Sequence, residues 1–142
     1  MELSAPLLDV TPGVRGLLLQ ELARLERPVS RRELATIAGV APSHASVVLG
    51  ELIGGGLVSE SPAGRASMVE LNRGHLAAAP LLALAGLRGE LVRRLRARLS
   101  SWSDIRGAWL FGSVARGDAS GDSDVDVLIE GEYRGLADRY AA

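Results

Sequence analysis

The sequence predicts an α+β fold on three observations. Apolar residues recur at helical spacing in three short stretches before residue 54 and again over residues 80–100. Two extended segments face each other across a Pro/Gly turn near residues 61–64. Two apolar, strand-like runs, residues 108–111 and 125–129, flank a Gly-Ser step. With 142 residues, of which 47% are hydrophobic and 23% charged, the chain reads as a soluble globular protein of one ordinary domain or two very small ones.

Composition removes several chemistries. There are no cysteines, which excludes disulfides, thiol nucleophiles and thiolate metal sites. All 16 basic residues are arginine, so a P-loop lysine and Schiff-base chemistry are excluded, and the all-arginine set itself reads as composition bias. His44 and His75 stand far apart and give histidine catalysis little support. An aromatic content of 4% argues against a base-stacking platform. No apolar run approaches the roughly 20 residues of a membrane helix. The start, Met1-Glu2-Leu3-Ser4, lacks a basic region and apolar core, so a cytoplasmic protein is expected.

Residues 11–75 predict helices and a hairpin. Thr11-Pro12 is a helix-start signal, followed by Leu18, Leu19, Leu22 and Leu25 at helical spacing. Ser30 and Glu33 form a capping box that opens a short second helix ending at Gly39. A third helix is expected from about Ser43 to Ile53, with Ala45, Val48, Leu49 and Leu52 turned inward and Gly54-Gly55-Gly56 as its stop. A strand at 57–60, a turn at 61–64 and a strand at 66–72 complete a hairpin. This order resembles a winged helix-turn-helix. The resemblance implies DNA as a partner, with Ser43, His44, Ser46 and Val47 facing outward on the recognition helix and Arg31, Arg32 and Arg65 available to phosphates. With so few cations, binding should be modest and salt-sensitive.

A connecting amphipathic helix is expected next, from Pro80 to Ser100. Leu84, Leu87, Leu91, Leu95 and Leu99 form one stripe, and Arg88, Arg93, Arg94, Arg96 and Arg98 fill the remainder. That basic collar reads as a solvated face, with phosphate or an acidic partner as the alternative. The expected division is a winged helix over 1–75, the connecting helix over 76–101 and a small α/β unit over 102–142.

The chemistry concentrates at the end of the chain. An apolar strand that breaks at Gly112-Ser113 into a helix leaves backbone amides, and the Ser113 hydroxyl, directed at one spot, which suits a phosphate. Arg116 lies one turn on. In the second strand Val125, Val127 and Ile129 alternate with Asp124 and Asp126, whose Cα atoms should lie about 6.6 Å apart on one face. Two such carboxylates repel unless a cation lies between them, and Mg²⁺, which takes carboxylates plus substrate phosphates, is the natural choice. Asp118 and Asp122 read as loop caps or turn residues, with substrate contact as the alternative.

Gly112-Ser113, ten intervening residues, then Asp124-Val125-Asp126 among apolar neighbours resembles the nucleotidyltransferase superfamily of DNA polymerase beta, and within it the minimal bacterial members, over residues 107–130. The resemblance implies that Gly112 and Ser113 bind an NTP and that Asp124 and Asp126 hold two Mg²⁺ ions for transfer of a nucleoside monophosphate to a hydroxyl. The acceptor would be a protein side chain, an RNA end or a small molecule. The family's third carboxylate, on a later strand, has no counterpart: only 16 residues follow Asp126, and Glu130 lies roughly 13 Å along the same strand. The nucleotidyltransferase unit is therefore expected to be truncated or to have an incomplete metal site.

These residues fit three functions. One is a Mg²⁺-dependent nucleotidyltransferase with a DNA-binding winged helix. Another is a DNA-binding regulator whose incomplete nucleotidyltransferase domain senses nucleotide or only dimerises. The last is a protein-interaction module. Two strands with open edges and a leucine stripe too large for so small a C-terminal half also predict a homodimer.

Overall fold

Residues 3–64, 66–119 and 122–132 are described by a computed structural model. Arg65 and the helix expected from Tyr133 to Ala142 lie outside the described residues.

The chain opens with one helical turn, α1 (Leu7–Val10), closed by the Thr11 amide on the Leu7 carbonyl at 2.8 Å. Because Thr11 ends α1, Thr11-Pro12 does not open the next helix as expected: α2 (Val14–Arg24) begins after Gly13. Its leucines Leu18, Leu19 and Leu22 are buried, as their spacing predicts. Gln20, also buried, accepts the Leu7 amide at 3.2 Å and so ties α1 to α2.

The capping box forms. β1 (Val29–Ser30) runs into α3 (Arg31–Ile37), and the Ser30 hydroxyl accepts the Glu33 amide at 3.1 Å. The Glu33 carboxylate is held below its ordinary range chiefly by the Arg27 hydrogen bond, with a smaller contribution from the Ser30 amide. α4 (Pro42–Gly54) starts with proline in its first turn and buries Ala45, Leu49 and Leu52. β2 (Val58–Ala63) and β3 (Ala66–Leu71) pair antiparallel, and β1 adds to β3 through Val29↔Val69 and Ser30↔Met68. The hairpin turn is tighter than expected, because β2 continues through Pro62. The sheet order β1-β3-β2 leaves β2 at the edge, where a missing proline N–H is tolerated. Helices, helix-turn-helix and hairpin in the order α2-β1-α3-α4-β2-β3 are a winged helix. Leu18, Leu22, Val29, Leu34, Leu49, Val58 and Val69 form its core.

The expected connecting helix is two helices, α5 (Ala78–Ala85) and α6 (Leu87–Ser100), meeting at Gly86. Leu81, Leu82 and Leu84 pack against the winged-helix core, whereas no residue of α6 is fully buried. One apolar stripe is thus shared between two clients, and the glycine between them lets the direction change. Among the described residues no single helix is long and apolar enough to cross a membrane.

β4 (Ile105–Phe111) and β5 (Asp126–Gly131) pair antiparallel, with the short helix α7 (Gly112–Arg116) following β4. One sheet face meets α6 across a groove of about 490 Å³ lined by Val92, Leu95, Leu99, Trp102, Leu110 and Val127. The opposite face carries the cross-strand partners Trp109 and Leu128, then Phe111 and Asp126. Its apolar members remain 50%, 58% and 52% exposed for Trp109, Leu128 and Phe111.

Candidate functional site

Gly112 is where strand becomes helix. Its φ of +73° is a backbone that other residues rarely adopt, and a Cβ there would lie 2.2 Å from Oδ2 of Asp126. The pairing Phe111↔Asp126 is the last of the β4–β5 ladder, so the Asp126 carboxylate comes to rest on the glycine at the turn. The Gly-Ser step and one aspartate of the Asp-x-Asp pair are thereby in direct contact. The residue before α7, Phe111, makes no side-chain cap to its first amides, and Ser113 is partly exposed beside them.

Asp124 departs from expectation. β4 ends at Phe111, where Gly112 turns the chain away, so the ladder offers nothing beyond Asp126 to pair with. Asp124 and Val125 therefore precede β5 and are exposed, while Val127 and Ile129 keep the inward phase. Arg116 is exposed and pairs with Asp118, Nε to Oδ2 at 3.1 Å, and Asp122 is exposed in the loop. Among the described residues no group of three or more His, Cys, Asp or Glu side chains gathers in a way that would hold a metal ion.

One arginine of the collar does more than line a solvated face. Arg88 reaches from α6 to the end of α7, its Nε donating to the Val114 carbonyl at 2.7 Å and a terminal nitrogen donating to that of Ala115. Gly117 in the left-handed conformation brings its own amide and that of Asp118 onto the Ser113 carbonyl, at 2.9 and 3.1 Å. Val114 and Ala119 are buried beside this cap. Nothing in the leucine stripe singles Arg88 out, since its partners lie 26 and 27 residues away. Arg93 and Arg94 both bond Glu90, and their hydrogen bonds, Arg93 first, lower its carboxyl to about 2.

On the winged helix, Ser43, His44, Ser46 and Val47 are all exposed along α4, as expected, and Arg32 is exposed on α3. Arg31 is engaged within the protein: its Nε and a terminal nitrogen bond both oxygens of Glu60 on β2, at 2.7 and 2.8 Å. Its other terminal nitrogen donates to the Ser46 hydroxyl at 3.4 Å. The hydrogen bonds between Arg31 and Glu60 raise the guanidinium's pKa and lower the carboxyl's.

Residues 92–136 match the family model of the nucleotidyltransferase domain, a span that starts within α6 and takes in β4, α7 and β5. No curated protein matches the chain in sequence. Similar solved structures include RV1404 from Mycobacterium tuberculosis, 19% identical over 67% of this chain and 68% of that one, with a TM-score of 0.47. The adhesin competence repressor AdcR from Streptococcus pyogenes is 14% identical over 68% and 74%, with a TM-score of 0.46. The C30S mutant of Lactococcus lactis ZitR in complex with DNA is 18% identical over 62% of each chain, with a TM-score of 0.43. By its element order and this family match, the chain is a winged helix-turn-helix followed by a segment, residues 92–136, that matches the nucleotidyltransferase domain.

Proposed function

We propose that the chain is a Mg²⁺-dependent nucleotidyltransferase that moves a nucleoside monophosphate from an NTP to a hydroxyl acceptor on a protein, an RNA end or a small molecule, and that its winged helix binds DNA. The observation that carries the enzymatic part is the contact between the Asp126 carboxylate and Gly112, which puts a hard oxygen donor at the start of the Gly-Ser turn. The donor set suits Mg²⁺, and Asp124 and Asp126 are the residues that would hold two ions. The chemistry such ions supply is neutralisation of charge on the triphosphate and on the attacking oxygen. The amides of Gly112 and Ser113 and the Ser113 hydroxyl would donate to phosphate oxygens, and Arg116 would exchange Asp118 for the nucleotide. In the transfer, the acceptor hydroxyl gives its proton to solvent as its oxygen bonds the α-phosphorus and the bond to pyrophosphate breaks. A protein that uses NTP and binds DNA would work in the cytoplasm.

Calorimetry tests the metal and nucleotide. NTP should bind only with a divalent cation, and Asp124→Asn with Asp126→Asn should abolish that dependence; equal affinity with and without Mg²⁺ would refute the site. Ser113→Ala should weaken triphosphate binding more than monophosphate binding.

One observation favours a second reading, a DNA-binding regulator whose nucleotidyltransferase domain senses nucleotide or only dimerises. The buried hydrophobic cluster belongs to the winged helix, while beyond Ala78 only Val114 and Ala119 are buried apolar residues among those described. Turnover separates the two: labelled NTP, Mg²⁺ and cell lysate yield pyrophosphate and a labelled macromolecule for an enzyme, and nucleotide binding alone for a sensor.

A further inference from the structure

Arg31, Ser46 and Glu60 come from three different elements and meet at one spot. Arg31 opens α3, Ser46 lies in α4, and Glu60 sits on the edge strand β2, on the far side of β3 from β1. The guanidinium presents a two-nitrogen fork to both carboxylate oxygens and touches the Ser46 hydroxyl with the nitrogen left over. The Ser67 hydroxyl adds a hydrogen bond to the same carboxylate. Ser46 belongs to the exposed side of α4, with Ser43, His44 and Val47, so the anion bound here lies beside the surface that a winged helix turns to DNA.

A fork of two N–H donors fits a phosphate as it fits a carboxylate. We propose that Arg31 and Ser46 form a binding site for a backbone phosphate of duplex DNA, and that Glu60 fills this site as an internal anion in the free protein. The site rests on the DNA-binding role proposed above and deepens it. The two side chains retain 33% and 26% of their exposure, so solvent reaches the pair and its opening is easy. A phosphate that replaces Glu60 keeps the guanidinium paired and releases counterions from the DNA. The displaced carboxylate then stands near the duplex and opposes it. Glu60 therefore holds DNA affinity down, and a contact that looks like a structural strut is a competitor for the ligand.

The test is retardation of a mixed-sequence duplex of about 20 base pairs over a series of salt concentrations, with folding checked by circular dichroism. Glu60→Gln, which keeps the shape and removes the charge, should tighten binding by about two- to fivefold. Adding Arg31→Ala should erase the gain and make the slope of log affinity against log salt shallower by about 0.9. Ser46→Ala in the Glu60→Gln chain probes the same site while leaving the Arg31 guanidinium in place, and should also weaken binding. If the wild-type chain binds DNA and a folded Glu60→Gln chain binds equally or more weakly, the site is refuted while the DNA-binding role stands. If no variant retards any duplex, the DNA-binding role falls and the site with it. If Glu60→Gln gains affinity for inorganic phosphate but not for DNA, the site is one for a free anion and the proposal is overturned.

Discussion

Gly112→Ala tests the contact on which the candidate active site depends. Two penalties are built into the position. The first is conformational: φ of +73° costs an L side chain about 1–2 kcal/mol. The second is steric. The new Cβ would lie 2.2 Å from Oδ2 of Asp126, so the carboxylate must retreat by about 1.2 Å to reach an ordinary contact of 3.4 Å. Oδ2 is the far end of a half-buried side chain that can turn aside, so the shift costs about 0.5–1.5 kcal/mol, that of a displaced rotamer. The second penalty depends on Asp126 and the first does not. In an Asp126→Ala chain the nearest remaining atom would be Cβ, at 3.5 Å, which is ordinary contact. Gly112→Ala should therefore cost about 1.5–3.5 kcal/mol alone and only about 1–2 kcal/mol in the Asp126→Ala background. Tryptophan fluorescence during urea unfolding is the right probe. Both tryptophans, Trp102 and Trp109, lie in the C-terminal half, so the signal follows the β4–β5 unit rather than the winged helix. The same variant should lose Mg²⁺-dependent NTP affinity. Equal costs in the two backgrounds would show that Asp126 does not rest on Gly112, and the geometry proposed for the site would be wrong.

Arg88→Ala removes the guanidinium that holds the last carbonyls of α7 and should destabilise the β4–β5 unit by about 1–3 kcal/mol in the same unfolding assay; no change would mean that Gly117 alone closes α7. The Glu90 carboxyl should titrate near 2 when followed by NMR, because Arg93 and Arg94 favour its charged form. With the folded value below the unfolded 4.5, its contribution to stability is fully present above about pH 4.5 and is lost as pH falls toward 2. Glu90→Gln should remove that part of the acid dependence, whereas a midpoint near 4.5 would mean the two pairs do not form in solution. Light scattering should report a homodimer at micromolar concentration, since Trp109, Phe111 and Leu128 expose an apolar sheet face. Leu128→Glu should shift it toward monomer, and a stable monomer for the unaltered chain would refute the assembly.

Most of the winged helix is legible in the residues because its signals are local. The Ser30–Glu33 box needs three residues of chain, and the inward set Ala45, Leu49 and Leu52 comes from helical spacing alone. The break of strand into helix at Gly112-Ser113 is local too. Sequence and structure part where a distant partner decides. Thr11 looks like a cap for α2, yet its amide closes the turn of α1. Pro80 to Ser100 reads as one leucine stripe, but its first part packs on the winged-helix core and its second faces β4, so the helix divides at Gly86. Alternation places Asp124 on a strand, but a strand extends only as far as its neighbour, and β4 stops opposite Asp126.

Spacing along the chain thus sets helices, caps and turns, since their hydrogen bonds close within a few residues. It also carries the Gly-Ser and Asp-x-Asp motifs as residue types. Which charges are spent, and on what, is settled by contacts 26 to 29 residues apart: Arg88 on the carbonyls of α7, Arg31 on Glu60. An arginine on a helix surface looks the same in one dimension whether it faces water, a carbonyl or a carboxylate. Only folding, which brings a fixed partner within about 3 Å, distinguishes the three.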